Sequence, residues 1–255
     1  MQQLQLKGKT ALISGAGRNI GKEIALTFAR EGADLILVAR KAGAELNQTA
    51  KECESQGVHA LALLADVANP EEVRRSVQQG LDRFGKIDVL VNVVGLRPHK
   101  PFLSIDYDEW QSVFDVNCHS LFHLAQAVIP GMMERTRGSI VALGGLSAIR
   151  PSNLGAAVTA SKHGEFGLIK SLALEFGQYG IRANMVNPGL TNIERRNLEW
   201  YSDVGNPSRP PEVEKIAMKR IAEPHEIANV VLFLASDQSS FVTGDCVLAA
   251  GGAYI

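Results

Sequence analysis

TALISGAGRNIG, running from Thr10 to Gly21, changes its character twice within one short stretch. Thr10–Ser14 is a continuous apolar run and reads as a strand buried on both faces. From Ile20 to Arg30 the apolar residues follow helical spacing, with Ile24, Leu26, Phe28 and Ala29 as buried candidates. Between the two lies a glycine turn holding Gly15, Gly17 and Gly21. A strand, a glycine turn and a helix in that order can present bare backbone N–H groups to a pyrophosphate. Glycine permits both the tight turn and the close approach. An ordinary glycine-containing turn is the competing reading, and the flanking strand and helix favour the phosphate site.

Outward from this stretch, strands and helices keep alternating. Strands are expected at Asp34–Ala39, Val58–Leu64, Asp88–Asn92, Ser139–Leu143, Ile181–Val186 and Cys246–Ala249. Helices are expected at Ala44–Ser55, Pro70–Phe84, Asp108–Glu134 with a bend near Pro130, Ala156–Phe176 and Pro224–Ala235. This pattern predicts one α/β domain over residues 1–255, a doubly wound, parallel, seven-stranded sheet with helices on both faces. The segment of about 190–215 has weak periodicity and several prolines, and is expected to be a mobile lid over substrate.

Composition narrows the function classes. The 255 residues carry 26 basic and 27 acidic side chains, a net charge of −1, which gives no reason to expect nucleic acid or an anionic membrane as partner. Cys53, Cys118 and Cys246 are too widely spaced for a metal cluster and read as reduced thiols. The start, MQQLQLKGKT, has no apolar signal core, and no apolar run reaches the roughly 18 residues that span a bilayer. A cytoplasmic chain without metal is the expectation.

Further short stretches fall in a telling order: Ser14-Gly15 with Arg18, Asn19, Ile20 and Gly21; Asp66-Val67; Asn92-Val93-Val94-Gly95; Asn117; Lys162 in Ala160-Ser161-Lys162; Asn187-Pro188-Gly189 with Thr191; Val242-Thr243-Gly244; and Gly251-Gly252. In order and spacing they resemble the short-chain dehydrogenase/reductase family across nearly the whole chain. Asn19 stands where that family has its middle glycine, and asparagine tolerates positive φ better than most residues. The resemblance implies that Asp66 and Val67 contact adenine, that Asn92 and Gly95 line the cofactor crevice, and that Pro188, Gly189 and Thr191 close over the nicotinamide. It also implies active-site roles for Asn117 and Lys162, with Lys162 holding the nicotinamide ribose hydroxyls, a small-molecule substrate and a homotetramer.

The strand at Asp34–Ala39 ends in Arg40 and Lys41, with no acid to hold a ribose 2′-hydroxyl. Arg40, with Arg18 from the glycine turn, suits a 2′-phosphate and predicts NADP(H). Solvated charges at a strand end are the alternative.

By the resemblance, a serine and a tyrosine hold the substrate carbonyl, and the tyrosine supplies the proton. The tyrosine position, four before Lys162, is Val158, and the usual serine offset falls on Gly145. Ser147 is the nearby hydroxyl. No tyrosine lies between Tyr107 and Tyr179. Losing a matched general acid costs about 10²–10⁴ in rate. His99 and Tyr201 are candidate substitute acids, and Arg97, Arg150, Arg195 and Arg196 are candidate anchors for an anionic substrate. Exposed loop charge is the plain alternative for each. The leading expectation is an NADP(H)-dependent oxidoreductase acting on a carbonyl or alcohol with a non-standard proton donor. A catalytically silent nucleotide-binding homologue and non-redox chemistry in the same pocket stay open.

Overall fold

The computed structural model describes residues 4–41, 43–195 and 213–253. Its core is a seven-stranded sheet of β1 (Thr10–Ser14), β2 (Asp34–Ala39), β3 (Ala60–Leu64), β4 (Val89–Asn92), β5 (Gly138–Leu143), β6 (Ile181–Pro188) and β7 (Cys246–Ala249). The order is β3-β2-β1-β4-β5-β6-β7, and every pairing is parallel. Helices α1 (Asn19–Arg30), α2 (Gly43–Glu54), α3 (Pro70–Phe84), α4 (Tyr107–Phe114), α5 (Ser120–Glu134), α6 (Ala156–Phe176) and α7 (Pro224–Ala235) connect them.

The strands bury both faces because both are covered. Ala11, Ile13, Leu35, Leu37, Val89 and Val91 point to one side, where they join Ile24 and Phe28 of α1, Leu46 of α2 and Ile227 and Val231 of α7. The residues between them, Leu12, Ile36 and Leu90, join Val77 of α3, Leu121 and Leu124 of α5, and Ile169 of α6 on the other. This is why the strands read as continuous apolar runs. The chain leaves β1 towards the first face and β4 towards the second, so the β1–β4 junction is the switch point of the sheet. Ligands of open α/β sheets sit there, beyond the carboxyl ends of the strands.

Most expected boundaries hold within two residues. The exception is the helix expected as one rod over Asp108–Glu134. It is broken at Asp115–His119 by a π-helical turn, while Pro130 lies inside α5 without ending it. The backbone stays in the helical region on both sides of the turn, so apolar periodicity continues through it and conceals it. Likewise, β6 runs on to Pro188 because Asn187 and Pro188 still pair with Leu248 and Ala249. No helix among the described residues is long and apolar enough to cross a membrane.

Candidate active site at the carboxyl edge of the sheet

The glycine turn is fastened to β2, with the N–H groups of Gly15 and Ala16 donating to the Val38 carbonyl at 2.8 and 3.2 Å. Gly15 has φ +70°, a left-handed conformation that glycine adopts without strain. At Gly21 a Cβ would overlap the Gly15 carbonyl oxygen, so only glycine lets α1 start this close to the turn.

Asn19, which stands where the family has its middle glycine, carries φ +53°. Its carboxamide adds something glycine lacks. Nδ2 donates to the Glu194 carbonyl at 2.9 Å, and Oδ1 accepts the Glu194 N–H at 3.1 Å. The turn is thereby tied to the segment that follows β6.

The start of α1 differs from those of α3 and α4. Asn69 caps α3, which has Glu71 and Glu72 in its first turn, and Asp106 caps α4, followed by Asp108 and Glu109. α1 begins at Arg18 with no side-chain cap bond and no acid in its first turn. Its leading amides and the positive end of its dipole are left for an anion. The Arg18 Nη1 atom is buried there without a hydrogen-bond partner among the described residues.

Two cavities open along this edge. The first, about 180 Å³, is lined by Gly15, Arg40, Asp66, Val67 and Gly95 among others. Arg40 Nη1 lies 3.6 Å from Asp66 Oδ2, and the Arg40 side chain is half exposed. An exposed pair at that distance is weak. The second cavity is also about 180 Å³. Ile20, Pro188, Gly189, Thr191 and Arg195 form part of its wall, and Arg97, His99, Ser147, Val158 and Lys162 form another part. A Cβ on Gly95 would lie 3.9 Å from Lys162 Nζ, so the two cavities adjoin at Lys162.

Gly145 has φ +71°, where a serine would be strained, and Ser147 brings a hydroxyl to this cavity wall, as do Ser152 and Thr191. Val158 is buried against Val113, Ala157, Leu96 and Trp110. Tyr201 and Arg196 lie outside the described residues. His163 is exposed, and its ring lies against the Thr159 carbonyl.

Two predicted site residues turn their side chains inward. Asn117, in the π-helical turn, accepts the Leu96 N–H at 2.7 Å and donates to the Leu96 carbonyl at 3.0 Å and to Ser161 Oγ at 3.1 Å. It staples the loop after β4. Asn92 is fully buried: its Oδ1 accepts from Ser14 Oγ at 2.7 Å, and its Nδ2 donates to Ser120 Oγ and to Glu165 Oε1, both at 3.1 Å.

Glu165 was not foreseen. It is fully buried, and its Oε2 accepts from Lys162 Nζ at 2.7 Å. Lys162 Nζ also donates to the Leu143 carbonyl at 2.8 Å and to the Val94 carbonyl at 3.5 Å. Burial pushes the Glu165 carboxyl up, against the opposing pull of Lys162 and Asn92. Burial and then the Glu165 charge raise the Cys118 thiol, which therefore stays protonated. The signal for Glu165 was present in the sequence: a carboxylate three residues after a lysine on one helical face, where the neighbouring positions are apolar.

The enoyl-(acyl carrier protein) reductase family model matches residues 15–254, nearly the whole chain. The chain belongs to the short-chain dehydrogenase/reductase family. The oxidoreductase UcpA of Escherichia coli K12 is 36% identical over 98% of this chain and 96% of that protein. The L-rhamnose 1-dehydrogenase (NAD(P)(+)) of a Sphingomonas species is 33% identical, covering 98% of each. Among solved structures, a Sinorhizobium meliloti protein assigned as a short-chain alcohol dehydrogenase superposes with a TM-score of 0.91 at 31% identity, over 99% of this chain and 98% of that one. This short-chain dehydrogenase/reductase thus shares its single-domain parallel α/β fold with oxidoreductases that use nicotinamide cofactors.

Proposed function

We propose that this short-chain dehydrogenase/reductase is an NADP(H)-dependent oxidoreductase that interconverts a small carbonyl compound and its alcohol without the usual tyrosine. One observation carries the reading. The amino end of α1 has neither cap nor acid, and the glycine turn that leads into it lines, through Gly15, a cavity whose wall supplies Arg40. A dinucleotide fits these residues: the turn from Gly15 to Gly21 receives the pyrophosphate, and Arg18 and Arg40 hold the 2′-phosphate. Asp66 and Val67 flank the adenine, and Asn92 and Gly95 shape the crevice wall. Pro188, Gly189 and Thr191 cover the nicotinamide. When bound, the nicotinamide supplies hydride chemistry beside the second cavity. There Ser147 orients the substrate oxygen, and Arg97 and His99 receive the rest of the molecule. The π-helical turn, through Asn117, fixes the loop that carries Arg97.

The test is NADPH oxidation with a panel of ketones and aldehydes. Turnover lost in Gly21→Ala supports the reading. A second reading, a silent nucleotide-binding homologue, is favoured by the valine at position 158. Saturable NADPH binding without turnover by any carbonyl selects it. We also propose a homotetramer, because Phe102, Leu103, Tyr107 and Phe122 leave apolar surface exposed from the segment before α4 through to α5, and a place in the cytoplasm, where Cys53, Cys118 and Cys246 stay reduced. Sedimentation at the monomer mass would overturn the assembly.

A further inference from the structure

We infer that Lys162 is the proton donor of this site and that Glu165 is the positioning residue that holds its ammonium group for the purpose. The inference rests on the proposed oxidoreductase reading and names the group that supplies the proton there.

In water a lysine ammonium and a tyrosine phenol lose their protons at about pH 10.4 and about pH 10. As acids towards an alkoxide the two are near equals, so an ammonium is a chemically adequate replacement for the missing phenol. A threonine hydroxyl, such as that of the adjacent Thr159, is not.

Placement comes next. Val158 and Lys162 stand one turn apart on α6 and line the same cavity with Gly145 and Ser147. A valine is shorter than a tyrosine by a whole phenol ring. A substrate oxygen entering the cavity past Val158 therefore meets Lys162 next.

The hydrogen bonds of Lys162 are unequal. Two of its three protons are firmly committed, to Leu143 O at 2.8 Å and to Glu165 Oε2 at 2.7 Å. The third reaches Val94 O only at 3.5 Å, the outer limit of a hydrogen bond. Val94 and Gly95 line the first cavity, so this weakly held proton lies at the junction of the two cavities.

Glu165 cannot swing away from this arrangement. Its second oxygen takes the Asn92 amide, which Ser14 and Ser120 hold in turn. Stability gives no reason for such a pair. A buried ion pair is often no more stabilising than two apolar side chains of equal volume, whereas a buried ammonium left alone is strongly unfavourable. Glu165 permits a charged lysine to remain where a charged lysine is useful. The other ionisable groups nearby are the Cys118 thiol, which faces the pair from the π-helical turn, and Arg97, His99 and Arg195 in the cavity wall. Of these, His99 is the competing donor.

The step balances. Bound NADPH would supply hydride, with its two electrons, to the carbonyl carbon, the carbonyl π pair passing to oxygen. An O–H bond forms there as an N–H bond of Lys162 breaks, its electron pair staying on nitrogen. The neutral amine then regains a proton from solvent.

Three measurements test this on the full chain. They are NADPH titration by fluorescence, NADPH oxidation with 1-phenyl-1,2-propanedione and ethyl pyruvate from pH 6 to about 10, and ¹⁵N NMR of the Lys162 amino group without nucleotide. In Glu165→Gln the alkaline limb of the turnover profile moves at least about one unit lower, and the amino resonance titrates over a correspondingly lower range. In Lys162→Met/Glu165→Leu, whose apolar pair protects the fold, turnover at saturating NADPH falls about 10²–10⁴-fold, beyond any change in the NADPH Kd. An unmoved limb, an unmoved resonance, or a loss of turnover explained by NADPH affinity alone overturns the inference. So does loss of the limb in His99→Ala. Absence of NADPH binding in the wild-type chain would instead bring down the proposed function; the NMR arm needs neither nucleotide nor substrate.

Discussion

Asn19 shows how one side chain serves two ends. Its φ of +53° keeps the turn that a glycine would make, and its carboxamide clamps the backbone of Glu194. Asn19→Gly keeps the turn and loses the clamp, whereas Asn19→Ala loses the clamp and meets backbone strain as well. Urea unfolding should therefore place Asn19→Ala about 1–2 kcal/mol below wild type, with Asn19→Gly between them. Equal midpoints for all three chains would contradict this account of the clamp. Gly15 and Gly21 were legible because a turn between a strand and a helix states its need for glycine locally. The clamp was not, because its partner lies 175 residues away. Glu165 was legible in principle, yet on an apolar helical face an acid draws notice only when the lysine before it is known to be buried.

Among the elements, the π-helical turn at Asp115–His119 has the most specific consequence. Asn117→Ala leaves both the N–H and the carbonyl of Leu96 without their side-chain partner. A loss of about 2–4 kcal/mol in urea unfolding follows, with Asn117→Asp sparing nothing because its buried carboxylate would face the Leu96 carbonyl. The amino end of α7 gives a pH prediction. Glu226 receives both guanidinium nitrogens of Arg220 at 2.7 Å and the Glu223 N–H at 2.8 Å. These bonds, that of Arg220 foremost, hold its carboxyl down at about 2, from an ordinary 4.5. A depressed folded-state value contributes stability above 4.5 that is lost as pH falls towards about 2. In Glu226→Gln the fall of the urea midpoint across that window should be shallower; an unchanged slope would rule this contribution out. Sequence spacing placed α7 correctly because Pro224 marks its first turn. It missed the break in the helix after Tyr107 because a single widened turn leaves the apolar period nearly intact on both sides.

Over the whole molecule, the parallel sheet was readable because the crossover rules leave few ways to arrange alternating strands and helices. Both faces of every central strand are buried, which continuous apolar runs announce. The switch point between β1 and β4 then locates the crevice without any catalytic residue being known. What spacing alone does not convey is how side chains close on one another across it: Asn92 and Asn117 turn inward as braces, and Lys162 is shared between the cofactor side and the substrate side. The account depends throughout on the grip of the glycine turn and Arg40 on a phosphorylated dinucleotide. Fluorescence titration of the wild-type chain and of Arg40→Ala, with NADPH and with NADH, tests that grip most directly. Saturation by NADPH at least about tenfold tighter than by NADH, with the preference erased in Arg40→Ala, is the predicted result. No saturable signal from either nucleotide would contradict it.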